Sequence, residues 1–221
     1  MVEVKICGIN DLAAMNAALT ARADLVGLVF FPPSPRAVTP LGGADLAAVA
    51  RGRAMIAALL VDAEDEFIRD VVSRVNPDLL QLHGSETPRR VAEIRACFGK
   101  PVMKAVAVSS AADLAQVPAY EAVADRILYD AKPPKDADRP GGHGRAFDWN
   151  LLAKVSRKKP MMLSGGLDPE NVAEAIKIAR PDGVDVSSGV EDAPGVKNAG
   201  KIKSFIVNAR AAAQALQEKV S

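Results

Sequence analysis

Short stretches of strand length, mostly apolar and in the first case alternating apolar with polar residues, recur eight times along this chain, and a stretch with helical spacing follows each of them. Few architectures satisfy that alternation. The runs fall at residues 2–7, 25–30, 55–61, 79–82, 102–108, 126–129, 160–163 and 183–186. Between and after them, the spacing predicts helices over 12–19, 41–51, 63–75, from Thr87-Pro88 onward, 110–116, from Phe147-Asp148 onward, 168–179 and 196–216. Strands joined through helices form right-handed crossovers and therefore a parallel sheet. Eight such units without a linker predict an α/β fold, a single (β/α)8 barrel domain over residues 1–221. An open, doubly wound sheet is the alternative, but no Gly-x-Gly-x-x-Gly follows an early strand. Composition agrees with the barrel. Apolar residues make up 49% of the chain and aromatic ones only 4%, so the core is Ala, Val, Leu and Ile. That mix suits parallel strands covered by helices.

Several function classes are disfavoured at this stage. The net charge is +1 with no long single-sign run, which implies neither a nucleic-acid nor a membrane partner. Arg157-Lys158-Lys159 reads as a solvated helix end. Cys7 and Cys97 are too few for a disulfide framework, so a reducing compartment is expected. Glu3 and Lys5 break any signal-peptide pattern, and no apolar run approaches the length that spans a bilayer. A soluble, cytoplasmic protein is the expectation.

In a barrel every strand exit opens on one face, so the exits form a list of neighbours. The first run ends in Cys7-Gly8. Alone, this cysteine reads more readily as a small buried hydrophobe than as a reactive thiol. The second run leads into Pro32, Pro33, Ser34, Pro35 and Arg36, a stiff loop whose arginine suits a carboxylate, or simply solvent. Gln81 and His83 leave the fourth run and fit supporting roles; no cluster of metal ligands accompanies His83. Asp130 leaves the sixth, as an acid or, more plainly, as a helix cap or ion pair with Lys132. Gly165 and Gly166 follow the seventh, and Asp185, Ser187, Ser188 and Gly189 belong to the eighth. Each glycine alone is a turn residue, but together they sit where barrels hold phosphate, with a short helix near Ser188. Cys7 and Asp130 would face one another across the mouth, an arrangement suited to general acid–base chemistry on a phosphate-anchored small molecule.

The exits also resemble a known family. Lys5-Ile6-Cys7-Gly8-Ile9, Gly27-Leu28-Val29-Phe30 with Ser34-Pro35-Arg36, and Gln81-Leu82-His83-Gly84 are similar to phosphoribosylanthranilate isomerases. So are Asp130-Ala131-Lys132, Gly141-Gly142 through Phe147-Asp148-Trp149, Leu163-Ser164-Gly165-Gly166-Leu167, and the stretch from Asp185 to Glu191. The resemblance runs in order from residue 4 to about residue 200. It implies a cofactor-free, metal-free Amadori rearrangement in tryptophan biosynthesis. It further implies Asp130 as general acid, Cys7 as general base, Arg36 on the anthranilate carboxylate, and Gly165, Gly166, Ser187, Ser188 and Gly189 on the phosphate. Asp185 belongs with the binding residues, while Lys5, Gln81 and His83 are supporting. His143, between Gly142 and Gly144, departs from the small polar residue common in the family, and a minor role is expected for it. Some lowering of the Cys7 pKa, by Lys5 or by the helix ends that hold the phosphate, is also expected.

Three other readings compete. The histidine-pathway isomerase resembles a barrel with a carboxylate where this chain has Cys7 and with a second phosphate loop that this chain lacks. A metal-dependent pentose-phosphate epimerase needs more histidines than the two present. A non-catalytic phosphate-ligand sensor would need neither Cys7 nor Asp130. The sequence leaves monomer and homodimer both open, because an apolar helix face reads alike in a core and an interface.

Overall fold

The computed structural model describes residues 2–132, 147–153 and 155–218. Eight strands close into a parallel barrel in sequence order, with β8 hydrogen-bonded back to β1. They are β1 (Glu3–Cys7), β2 (Leu25–Phe30), β3 (Met55–Leu60), β4 (Leu79–Leu82), β5 (Val102–Val108), β6 (Arg126–Ala131), β7 (Met161–Leu163) and β8 (Gly183–Val186). The helices between them are α1 (Leu12–Thr20), α2 (Pro40–Ala50), α3 (Asp65–Val75), α4 (Pro88–Phe98), α5 (Val117–Glu121), α6 (Asn150–Ala153) and α7 (Val172–Ala179). A small hairpin, β9 (Glu191–Ala193) with β10 (Val196–Lys197), precedes the last helix, α8 (Ala199–Glu218).

Local chemistry explains the boundaries. Asp11, Thr39 and Thr87 each accept a backbone N–H from three residues on, which caps α1, α2 and α4. Pro40 and Pro88 stand in the first turns, where a missing N–H costs nothing. Asn76 and Gly99 end α3 and α4 in left-handed conformations. A repeated device fixes the strand register. Asp24, Asp78, Asp125 and Asp182 stand just before β2, β4, β6 and β8, and each accepts a backbone N–H from the preceding odd-numbered strand. The four donors are Val4, Ile56, Val102 and Met161. A slip of one residue in any of these pairs would forfeit the bond and turn the strand inside out.

Three expectations are corrected. Residues 110–116 form a 3-10 helix (Ala111–Gln116) that leads into α5, rather than an α-helix. The helix expected over 168–179 begins at Val172, because the Asp168 carboxylate caps a turn through the N–H groups of Glu170 and Asn171. The helix expected from residue 196 begins at Ala199, because Gly195 turns the chain in a positive-φ conformation and commits Val196 and Lys197 to β10.

Side chains alternate between the barrel interior and the helix layer. Inside, Leu25, Ala57, Leu79, Met103, Ala105, Leu128 and Met162 make an apolar plug. Cys7, Val29 and Leu59 pack together nearer the mouth. Buried polar groups also occur on the strands: Lys5, Gln81 and Asp130 at 0%, 0% and 5% exposure, and Asp185 at 4%. Ionised groups in such a place must be paired, and their partners define the site.

Candidate active site

Lys5 and Cys7 lie two residues apart on β1 and so face the same way. Lys5 Nζ donates to Asp185 Oδ1 at 2.9 Å, across the register pair Lys5–Asp185. Ser164 Oγ donates to the other Asp185 oxygen at 3.2 Å. Burial pulls the Lys5 pKa down, but Asp185 and the neighbouring Cys7 outweigh it and leave it raised. Cys7 ends higher than an ordinary thiol. Burial pushes it up, and the attraction of Lys5 and Lys197 is too weak to reverse that, with Asp185 adding to the rise. The expected lowering is therefore corrected; desolvation decides the sign.

Gly27 makes room for this pair. A Cβ there would stand 2.8 Å from Cys7 Sγ and 3.1 Å from Lys5 Nζ. Gly27→Ala is expected to displace both groups and cost about 1–3 kcal/mol, the usual range for overpacking. A thermal melt read beside kcat checks it, and a variant with wild-type stability and rate would show the thiol to lie elsewhere.

Asp130 lies within β6 rather than beyond its end. Oδ1 accepts the Ala131 N–H at 2.9 Å, and Oδ2 meets His83 Nε2 at 3.0 Å. His83 Nδ1 meets Gln81 Nε2 at 3.0 Å, which leaves Gln81 Oε1 buried without a partner among the described residues. The ion pair with Lys132 is not formed, since Lys132 pairs with Asp113 instead. Glu86, salt-bridged at 2.8 Å to buried Lys104, holds the N–H groups of Asp62 and Gly84 and so braces the loop that carries His83.

The exits of β7 and β8 lie between β6 and β1 in the ring, hence between Asp130 and Cys7. Gly165 and Gly166 both have positive φ, 83° and 66°. At Gly165 any Cβ would collide with the Ala131 backbone nitrogen and come 2.8 Å from Asp130 Oδ1. Only glycine allows so close an approach to the carboxylate. Ser187 precedes a 3-10 turn, Ser188–Val190, which is all that exists of the expected short helix. Gly189 backs directly onto the Leu167 carbonyl.

Arg36 is buried rather than solvated. Its Nε and Nη2 each donate to Glu191 at 2.7 Å, a bidentate pair. Lys197 Nζ donates to Glu191 Oε1 at 2.7 Å, to the Ser187 carbonyl at 3.0 Å and to Ser187 Oγ at 3.2 Å. Burial tends to raise Glu191, but the Arg36 and Lys197 hydrogen bonds and charges leave it lowered; Lys197 is lowered by its burial.

The structure thus joins Lys5, Asp185 and Ser164 beside Cys7, links Arg36 through Glu191 and Lys197 to Ser187, and groups Asp130, His83 and Gln81 beside Gly165. His143 lies outside the described residues. Sequence reasoning missed Gly27, Ser164 and Lys197, and gave Glu191 no role. The Pro194-Gly195 turn was the one available signal for the hairpin that delivers Lys197. Among the described residues no group of three His, Cys, Asp or Glu side chains could hold a metal ion, and no helix is long and apolar enough to cross a membrane.

The comparisons with known proteins converge. Residues 4–208 match the family model described as N-(5'-phosphoribosyl)anthranilate (PRA) isomerase. The N-(5'-phosphoribosyl)anthranilate isomerase of Nitrobacter winogradskyi is 55% identical over 218 residues, covering 99% of this chain and 97% of that protein. The crystal structure of the phosphoribosylanthranilate isomerase from Thermotoga maritima superposes with a TM-score of 0.87 at 39% identity, covering 96% of this chain and 100% of that one. A crystal structure of such an isomerase with reduced 1-(o-carboxyphenylamino)-1-deoxyribulose 5-phosphate bound gives 0.82 at 37% identity, covering 96% of this chain and 100% of that one.

Proposed function

This chain belongs to the N-(5'-phosphoribosyl)anthranilate isomerase family, and on that premise we propose that Asp130 and Cys7 are its general acid and general base. The chain catalyses the Amadori rearrangement of N-(5-phosphoribosyl)anthranilate to 1-(o-carboxyphenylamino)-1-deoxyribulose 5-phosphate in tryptophan biosynthesis. Asp130 gives its proton to the furanose ring oxygen, and the C1–O bond opens to a protonated Schiff base. Cys7, as thiolate, then takes the proton from sugar C2, and the electron pair moves to form the enolamine. Protonation at C1, with loss of the C2 hydroxyl proton, completes the ketone. The change is redox-neutral, since C2 is oxidised as C1 is reduced, so no external oxidant or reductant is consumed.

The observation that carries these roles is the order of the exits round the mouth. The β7 and β8 loops lie between acid and base, so a phosphate held at Gly165, Gly166, Ser187, Ser188 and Gly189 would set the sugar between Asp130 and Cys7. Asp185 acts on the substrate side through Lys5 and Ser164, while Arg36 offers its remaining guanidinium edge to the anthranilate carboxylate. Residues 1–221 act as one domain, in the cytoplasm, as a monomer or homodimer. The test is turnover of freshly prepared phosphoribosylanthranilate. Rapid conversion by the wild-type chain is expected, and no conversion by a well-folded chain would sink the reading.

A further inference from the structure

The Arg36 fork is not free to find its own orientation. Its Nε–Nη2 edge is bound to Glu191, and Glu191 is bound in turn to Lys197. All three side chains are at least 94% buried. Glu191 and Lys197 come from the two strands of the β9–β10 hairpin. That hairpin is strapped across the neighbouring loops: Asn10 Nδ2 donates to the Gly195 carbonyl at 3.1 Å, and a Cβ at Gly195 would stand 2.5 Å from the Pro35 carbonyl oxygen. Lys197 also reaches Ser187 by both its carbonyl and its hydroxyl. One ammonium therefore ties the loop after β2 to the exit of β8.

The charges make the same point. In this cluster two positive charges, Arg36 and Lys197, face the one negative charge of Glu191, one positive charge in excess. A buried excess charge is unfavourable until an anion meets it. An anionic ligand or the Cys7 thiolate does so.

We propose that Glu191 and Lys197 are positioning residues for substrate recognition: Glu191 aims Arg36 at the substrate carboxylate, and Lys197 couples that arm to the phosphate arm at Ser187. This rests on the functional reading above. Glu191 serves one arm, whereas Lys197 serves both, and the two variants should therefore fail differently.

The experiment is steady-state turnover of phosphoribosylanthranilate, with inorganic phosphate as competitive inhibitor, for wild type, Glu191→Gln and Lys197→Met. Glu191→Gln is expected to raise KM about tenfold or more, the scale of one lost charge-assisted hydrogen bond. Its kcat and its inhibition by phosphate should stay near wild type. Lys197→Met should raise both KM and the phosphate inhibition constant. Glu191→Asp, which keeps the charge but shortens the reach, is read the same way should Glu191→Gln fold poorly. A KM unchanged in both Glu191 variants, or a loss confined to melting temperature, overturns the inference while leaving the isomerase reading intact. A wild-type chain that does not turn over overturns both.

Discussion

Asp130→Asn is expected to lower kcat by about 10²- to 10⁴-fold, the usual worth of a positioned acid, and to leave KM within a few-fold of wild type. The two side chains have the same shape, so the loss should be chemical rather than structural. The oxygen of the substituted amide can still accept the Ala131 N–H. Its nitrogen would present N–H to His83 Nε2, where the carboxylate now stands. The imidazole can answer by moving its proton to Nδ1, provided that Gln81 turns an oxygen towards it. A turn of the Gln81 amide exchanges one hydrogen bond for another, with Oε1 then accepting from the imidazole where Nε2 now donates to it. The three side chains thus have a second hydrogen-bonded arrangement, which argues for intact folding and substrate binding. What the variant lacks is an ionisable proton for the ring oxygen. Steady-state kinetics with a thermal melt checks this. A variant that keeps more than about a tenth of wild-type kcat would place the acid elsewhere.

The barrel was legible because each strand is a short, mostly apolar stretch and each exit is punctuated by Gly, Pro or a polar residue, as at Cys7-Gly8 and Leu163-Ser164-Gly165. Closed in-order topology then turned separate exits into neighbours. The four aspartates before the even-numbered strands are equally visible in the sequence and carry the register, yet nothing local separates them from other loop residues. What could not be read was anything set by three-dimensional proximity. The Arg36 partner lies 155 residues away, so the loop announced an arginine without announcing that it is held. Lys132 beside Asp130 suggested an ion pair, but Lys132 found Asp113 instead, on the short 3-10 helix after β5. Val196 and Lys197 fit a helical pattern as well as a strand, and Gly195 settled the matter through its positive φ. The direction of the Cys7 shift was lost for the same reason, because desolvation depends on what encloses the thiol.

Cys7→Ala is expected to reduce kcat by a comparable factor of about 10² to 10⁴, and its pH dependence distinguishes a base from a packing residue. The thiolate is the active form, and burial holds the Cys7 pKa above its ordinary value. The rising limb of kcat/KM in the wild type should therefore lie above the ordinary thiol value of about 8.5, with activity climbing into the alkaline range; a limb below that value would contradict the burial argument. Lys5, itself raised, stays charged throughout and stabilises the thiolate once formed. Stability moves the other way. Between the unfolded and folded pKa values the native state binds more protons, so the contribution of Cys7 is whole below the unfolded value and is lost as pH rises through the folded one. The Ala variant should lose this contribution and melt with a flatter alkaline dependence. The same substitution removes the sulfur that a Cβ at Gly27 would meet at 2.8 Å. Gly27→Ala should accordingly cost less in the Cys7→Ala background than in the wild type, a coupling of the size seen between residues in direct contact, about 0.5–3 kcal/mol. Additive losses would mean that the two sites do not touch. A coupling with full activity retained in Cys7→Ala would make the thiol a packing group, and the base would have to be sought among the other groups facing the mouth.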